Sequence, residues 1–360
     1  MVAEKLSFAV SGRALNAVFI PLCVALIVAS LALIFEISGV NWVHGLSLTL
    51  YYGYGTTAFL LESLLRSVPL FLISIGLIFP FTAGVWNIGA EGQFYIGAIV
   101  TAGTALAFSS LPFPIPLVLA TLSGCLGGTL YALIPAFLRV KYGINELLTS
   151  LMLNFVAYHL TSYLLLGPMK NPLTQFAETP PMPETAVAPV LVPSTRFNAL
   201  TVIALIMVLA SYIALTKTRF AISIRYMGAN PVAAQCSGID INRLVYITMG
   251  ISGALAGLAS AHEVLGVIRA VRMGISMNYG YVAIGLAYFG GLHPVGAFAV
   301  SLLAAGVING TLMASFFYNI PIGVYEVLLG MVPLYVVASR KIADKIVRSL
   351  ALRQVSGVVT

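Results

Sequence analysis

Between two apolar stretches the chain reads Trp86-Asn87-Ile88-Gly89-Ala90-Glu91-Gly92-Gln93-Phe94, which brings two amides, a carboxyl and two glycines close together. Glycines allow unwound turns and close backbone approach. Asn87, Glu91 and Gln93 can satisfy the backbone groups that a broken helix leaves open where water is scarce. The run can be read as a plain polar hairpin turn or as a break beside a transport path. Glu62, Glu263 (next to His262) and Glu326 also lie close to apolar segments. Each can reach a helix end and so the membrane interface, and Glu263 with His262 can also line the outer mouth of a path.

Other chemistry is missing from the motifs. No GxxxxGK[ST], GxSxG or GxGxxG pattern occurs, so nothing marks the chain as binding ATP or forming covalent intermediates. Cys23, Cys125 and Cys236 have no metal-ligand spacing, and His44, His159, His262 and His293 are scattered. No metal, no cofactor and no enzymatic activity are expected.

The elements that must carry these residues are helices in lipid. Of 360 residues 60% are hydrophobic and 8% charged, with a mean hydropathy of +1.01. Ordinary soluble chains carry roughly 25% charged residues because they face water on all sides. A spanning helix needs about 20 mainly apolar residues, and ten segments can be drawn on that rule, at 14–36, 66–85, 92–110, 115–137, 147–167, 199–216, 244–266, 280–292, 294–315 and 322–339. The eighth is too short to span alone and reads as broken or re-entrant. The expected fold is therefore all-α, a polytopic transmembrane bundle of about ten spans forming one domain over residues 1–360.

The net charge of +7 fits that fold without nucleic acid. With both termini in the cytoplasm, thirteen of the eighteen basic residues fall inside, among them Lys5, Arg139, Lys141, Arg225 and Lys345. That is the asymmetry of the positive-inside rule. Two polar segments remain. The outer loop at 168–198 is rich in proline, and the inner loop at 217–243 has a helix start at Asn230 and Pro231. GxxxG occurs at Gly124/Gly128, Gly253/Gly257 and Gly306/Gly310. It reads as helix packing. The first two sit in similar Ser-Gly-x-Leu-x-Gly contexts on helices of opposite direction, which would suit an inverted repeat.

The run from Asn87 to Ala98 resembles the signature of inner-membrane permeases in the ATP-binding-cassette (ABC) import class for simple sugars and nucleosides. The nucleoside branch, served by basic membrane lipoproteins, is the most similar. Gly143-Ile144-Asn145-Glu146 with Leu151-Met152-Leu153-Asn154 is similar to that branch's next pattern. So are Gly238 to Arg243 leading into Ser252 to Gly257, and Tyr279-Gly280-Tyr281 with Gly290, His293, Pro294 and Gly296. The match spans about residues 60 to 340.

That resemblance implies a permease subunit, with ATP hydrolysed by a separate ABC ATPase. It also implies a second permease, identical or homologous, and an extracytoplasmic substrate-binding lipoprotein in the cell inner membrane. It implies a coupling helix in the inner loop, carried by Ala233, Ala234, Gly238 and Asp240, although the family's usual glutamate is Val232 here. A second departure is Val282, where relatives commonly have an acid. Candidates for the translocation path are Asn87, Glu91, Gln93, Asn145, Glu146, Asn154, His262 and Glu263, and the implied substrates are nucleosides or related sugars. An ion-coupled secondary transporter of a small polar solute, using Glu91, Glu263 and Glu326, is the alternative from the residues alone.

Overall fold

A computed structural model describes residues 12–193 and 195–320, together with 330, 331, 334, 335, 338, 339, 341–347 and 349. All regular structure among them is helical. The chain divides into two compact units, Met1–Tyr52 with Gly310–Thr360, and Gly53–Asn309.

In the first unit α1 (Gly12–Ile37) is followed by α2 (Trp42–Tyr54). The axis turns by 119° between Pro21–Ile37 and α2. Gly39 makes the turn with φ of +75° and Asn41 Oδ1 accepts from the amides of Val43 and His44 at 3.0 and 3.3 Å. A helix is thus present where the span at 14–36 was expected, but α2 was not anticipated, because its tyrosines and His44 dilute its apolar signal. Tyr52 stacks on Phe317 with centroids 5.3 Å apart.

The second unit holds the rest. Its helices are α3 (Thr57–Thr82), α4 (Ala90–Ala107), α5 (Ile115–Tyr142), α6 (Glu146–Leu166), α7 (Ala199–Thr216), α8 (Arg219–Ala229), α9 (Pro231–Cys236), α10 (Ile241–His262), α11 (Tyr279–Phe289) and α12 (Pro294–Tyr318) as far as Asn309. Side chains mark the starts. Thr56, Asn145, Asn198, Thr218, Asn230 and Asp240 each accept a hydrogen bond from an amide in the first turn of the helix that follows. Gly143, with φ of +68°, ends α5 in the left-handed conformation.

Helix α3 is apolar on all sides and is buried on nearly all of them, with 89% of its most apolar window inside the protein. It starts at Thr57 rather than near 66, because Thr56 caps it and its two ionic residues have polar partners. Glu62 pairs with Arg196, and Arg66 donates to Asn309. Among the described residues five helices are long and apolar enough to cross a membrane, namely α3, α5, α7, Ile241–Val267 and α12, or six if the bent pair α1–α2 is one span. The segments expected at 92–110 and 147–167 are the helices α4 and α6, which lie outside that group, and 280–292 is the short helix α11. The tenth expected span, with Glu326, lies mostly outside the described residues.

The tightest packing joins α4, α5 and α10. Helices α5 and α10 run antiparallel with their GxxxG motifs facing, Gly124 against Gly257 and Gly128 against Gly253. A Cβ on Gly257 would stand 2.7 Å from the Gly124 carbonyl carbon, and one on Gly97 of α4 would stand 2.9 Å from the Gly257 Cα. In lipid no hydrophobic force draws helices together, so backbone contact of this kind supplies the attraction.

Candidate functional site

Between α3 and α4 the chain leaves helical conformation for residues 85–88. Gly84, with φ of +72°, turns it out of α3. An unwound stretch inside a membrane bundle must have its amides and carbonyls satisfied by protein. One face of α6 does this. Glu146, Ser150 and Asn154 follow at i, i+4 and i+8, which stacks them along one side of the helix. Glu146 Oε1 accepts from the Trp86 amide at 3.1 Å and Ser150 Oγ from the Ile88 amide at 3.1 Å. Asn154 Nδ2 donates to the Ile88 carbonyl at 2.8 Å, and its Oδ1 accepts from the Gly92 amide at 2.8 Å. Glu146 is fixed in turn by an ion pair with Arg139.

The side chains of the break close on themselves. Asn87 and Gln93 exchange two amide hydrogen bonds, at 3.2 and 3.0 Å. Asn87 Nδ2 also donates to Ser252 Oγ of α10 at 2.9 Å, and its Oδ1 accepts from the Gly89 amide at 2.9 Å. Both side chains are buried.

Glu91 has a different task. Helix α11 is preceded by Asn278, which has φ of +62° and makes no side-chain capping bond of its own. Glu91 Oε2 accepts from the Gly280 amide at 2.8 Å, so a carboxylate from α4 caps a half-helix 189 residues away. Gly280 is required, since a Cβ there would lie 2.6 Å from the Glu91 Cα. The second hydrogen of Asn154 Nδ2 reaches the Tyr281 hydroxyl at 3.1 Å, and Val282 is buried.

The structure therefore gathers Asn87, Glu91, Gln93, Glu146 and Asn154 into one network. Asn145 stands next to it as the cap of α6, accepting from the Leu147 amide at 2.9 Å. His262 and Glu263 are elsewhere. Ser252 meets the break, and His262 lies ten residues further along α10, about 15 Å at 1.5 Å per residue. His262 Nε2 is 3.0 Å from Thr201 Oγ1, and the buried Glu263 opens a π-helical turn over Glu263–Val267. Residue-by-residue reading missed Ser150, whose signal was its spacing of four from both Glu146 and Asn154.

The residues of the 217–243 loop form a separate surface. Helix α9 starts where Asn230 and Pro231 placed it, with Asn230 Oδ1 accepting from the Ala233 amide at 3.1 Å. Gly238, with φ of +81°, turns the chain, and Asp240 Oδ1 accepts from the Arg243 amide at 3.0 Å at the start of α10. Ala234 is buried while Ala233, Gln235 and Cys236 are exposed, and Val232 is 69% exposed. Helix α8 rests on the end of α3, where Gly228 lies against the backbone of Thr82 and Ala83.

Residues 59–337 match the family described as branched-chain amino acid transport system / permease component. The chain is 34% identical over 291 residues to the glucose ABC transporter permease protein TsgB13 of Haloferax volcanii, covering 78% of this chain and 76% of that one. It is 29% identical over 336 residues to the guanosine ABC transporter permease protein NupP of Bacillus subtilis, covering 91% and 95%. It is 27% identical over 288 residues to the nucleoside ABC transporter permease protein NupB of Lactococcus lactis, covering 78% and 79%. No solved structure matches.

Proposed function

Because this multi-pass membrane chain belongs to the branched-chain amino acid transport system / permease component family, we propose that it carries nucleosides across the membrane as the permease subunit of an ABC importer. The observation that carries the substrate class is the match to a guanosine permease over nearly the full length of both chains. The chain itself is a transport subunit and not an enzyme. On this reading it works as a single permease domain with both termini in the cytoplasm, beside a second permease. An ABC ATPase drives it and an extracytoplasmic lipoprotein loads it.

Exposed Val232, Ala233 and Cys236 on α9 supply a small, smooth surface for a cleft in the ATPase. A push on α9 has two short routes to the polar break. Asp240 caps α10, and Ser252, twelve residues or about 18 Å further along that helix, holds Asn87. Helix α8 bears on Thr82 and Ala83 just before the break. ATP-driven movement of the inner loop would then shift both flanks of the unwound stretch, and alternating access follows from which arrangement the bound nucleotide favours.

Ala233→Trp is expected to insert normally and keep its melting temperature, while the co-purified ATPase falls about tenfold or more, the equivalent of roughly 1.4 kcal/mol of docking energy. ATPase recovered in normal yield would remove α9 as the contact. The substrate is tested by ATP-dependent uptake of labelled guanosine into vesicles holding the whole assembly. Guanosine and adenosine are expected to compete, whereas leucine is not. A second reading, hexose transport, has the 34% identity to a glucose permease behind it, and competition by glucose but not by adenosine would establish it instead.

A further inference from the structure

Helix α6 holds the polar break with one face, and most of its remaining surface is uncovered. On that surface Phe155 is 55% exposed, Tyr158 39% and Tyr163 67%, and His159 is exposed between them. His159 lies thirteen residues after the start of α6 and seven before its end, about 20 and 10 Å along the axis. Ionisable groups on membrane helices face protein or water rather than lipid. The helix as a whole is also outside the set apolar enough to span by composition.

This stripe adjoins the site. Tyr158 stands edge-on to Tyr95 of α4, with centroids 5.7 Å apart and planes at 84°, and edge-on to His159 at 5.4 Å and 79°. Tyr95 is one turn on from Glu91, and Asn154 is one turn before Tyr158. The surface therefore continues the polar break outward as aromatic rings interleaved with hydrogen-bonding groups. Aromatic side chains stack on any nucleobase, while imidazole and phenol groups can bond the ring edge and the ribose hydroxyls.

Resting on the nucleoside reading above, we propose that this face of α6, with Tyr158 and His159 at its centre, lines the water-filled path and contacts the nucleobase in transit. A purely lipid-facing wall would need neither group, and the adjoining network would have no aqueous side.

The test uses the assembled transporter in vesicles. In a background with Cys23, Cys125 and Cys236 replaced by serine, His159→Cys is expected to react with a charged, membrane-impermeant methanethiosulfonate, and guanosine delivered by the lipoprotein should slow that reaction. His159→Ala should lower guanosine uptake about three- to tenfold with complex yield and melting temperature unchanged, as loss of one hydrogen bond to a ligand predicts. His159→Gln should restore most of it. No labelling, labelling that guanosine does not slow, or uptake unaffected by His159→Ala would each overturn the proposal. So would loss of the second permease from the purified His159→Ala complex, which would make the face a subunit contact. Failure of the nucleoside reading registers separately, as absence of guanosine uptake by the unaltered chain.

Discussion

Gly257→Val is expected to leave little folded protein to purify, whereas Gly250→Ala on the same helix is tolerated or slightly stabilising. At position 257 a Cβ meets backbone, 2.7 Å from the Gly124 carbonyl carbon and 2.8 Å from the Cys125 Cα, and neither can rotate away. At position 250 its nearest neighbours are the side chains of Thr129 and Leu133 at 3.6 and 3.8 Å, an ordinary contact distance. Overpacking a core costs about 1–3 kcal/mol when side chains can adjust, and a clash between two helix backbones is at the upper end or beyond. Total stabilities are only about 5–15 kcal/mol. Replacing glycine inside a helix by alanine contributes about 0.5–1 kcal/mol where space allows. Melting of the detergent-purified variants by size-exclusion or intrinsic fluorescence reads both. Equal melting temperatures for the two would mean that α5 and α10 do not cross on their glycines.

Asn154→Leu has the second large effect. Leucine has the same number of side-chain heavy atoms and the same branching as asparagine, so no cavity accompanies the change, yet three hydrogen bonds disappear at once. The Gly92 amide, the Ile88 carbonyl and the Tyr281 hydroxyl lose their partner. A buried donor or acceptor left unmade costs about 1–3 kcal/mol, and two of these three belong to backbone that has no helical alternative. The expected loss is about 3–5 kcal/mol, with transport abolished in whatever protein survives. Asn154→Asp should be intermediate, since a carboxylate still accepts from Gly92 but cannot donate to Ile88. Asn145→Ala, which removes only the cap on the Leu147 amide, should cost about 1 kcal/mol. If Asn154→Leu melted no lower than Asn145→Ala, the account of the break would fail.

These two variants separate the roles of the polar residues. Asn87, Gln93 and Asn154 are consumed in holding an unwound segment, and Glu91 in capping a half-helix, so their chemistry is structural support for a place where the bundle can bend. The residues turned outward beside them, Tyr158 and His159, are the ones left to meet a solute.

Much of this was legible from the chain. Composition alone required helices in lipid, because so few charges cannot cover a water-facing surface. The break at Trp86–Phe94, the short eighth helix and the helix start at Asn230-Pro231 were all visible, since each is written in consecutive residues whose backbone preferences are local. Other features were not. Helix α2 was hidden by its own polar residues. The start of α3 was hidden by Glu62 and Arg66, whose partners Arg196 and Asn309 are far along the chain. Glycines at 124, 128, 253 and 257 could be read as packing positions, but not as facing one another.

What the sequence determined by itself is the solvent of this protein, its helical class and the place where a helix must stop, because hydropathy and backbone propensity act over a few neighbouring residues. What the tertiary structure decided is who satisfies that stop. Ser150 reaches Ile88 across 62 residues, Asn154 reaches its carbonyl across 66, and Glu91 caps Gly280 across 189. Hydrogen bonds of that kind depend on how α4, α6, α10 and α11 pack, and packing in lipid is set by the fit of whole surfaces rather than by any single run of residues.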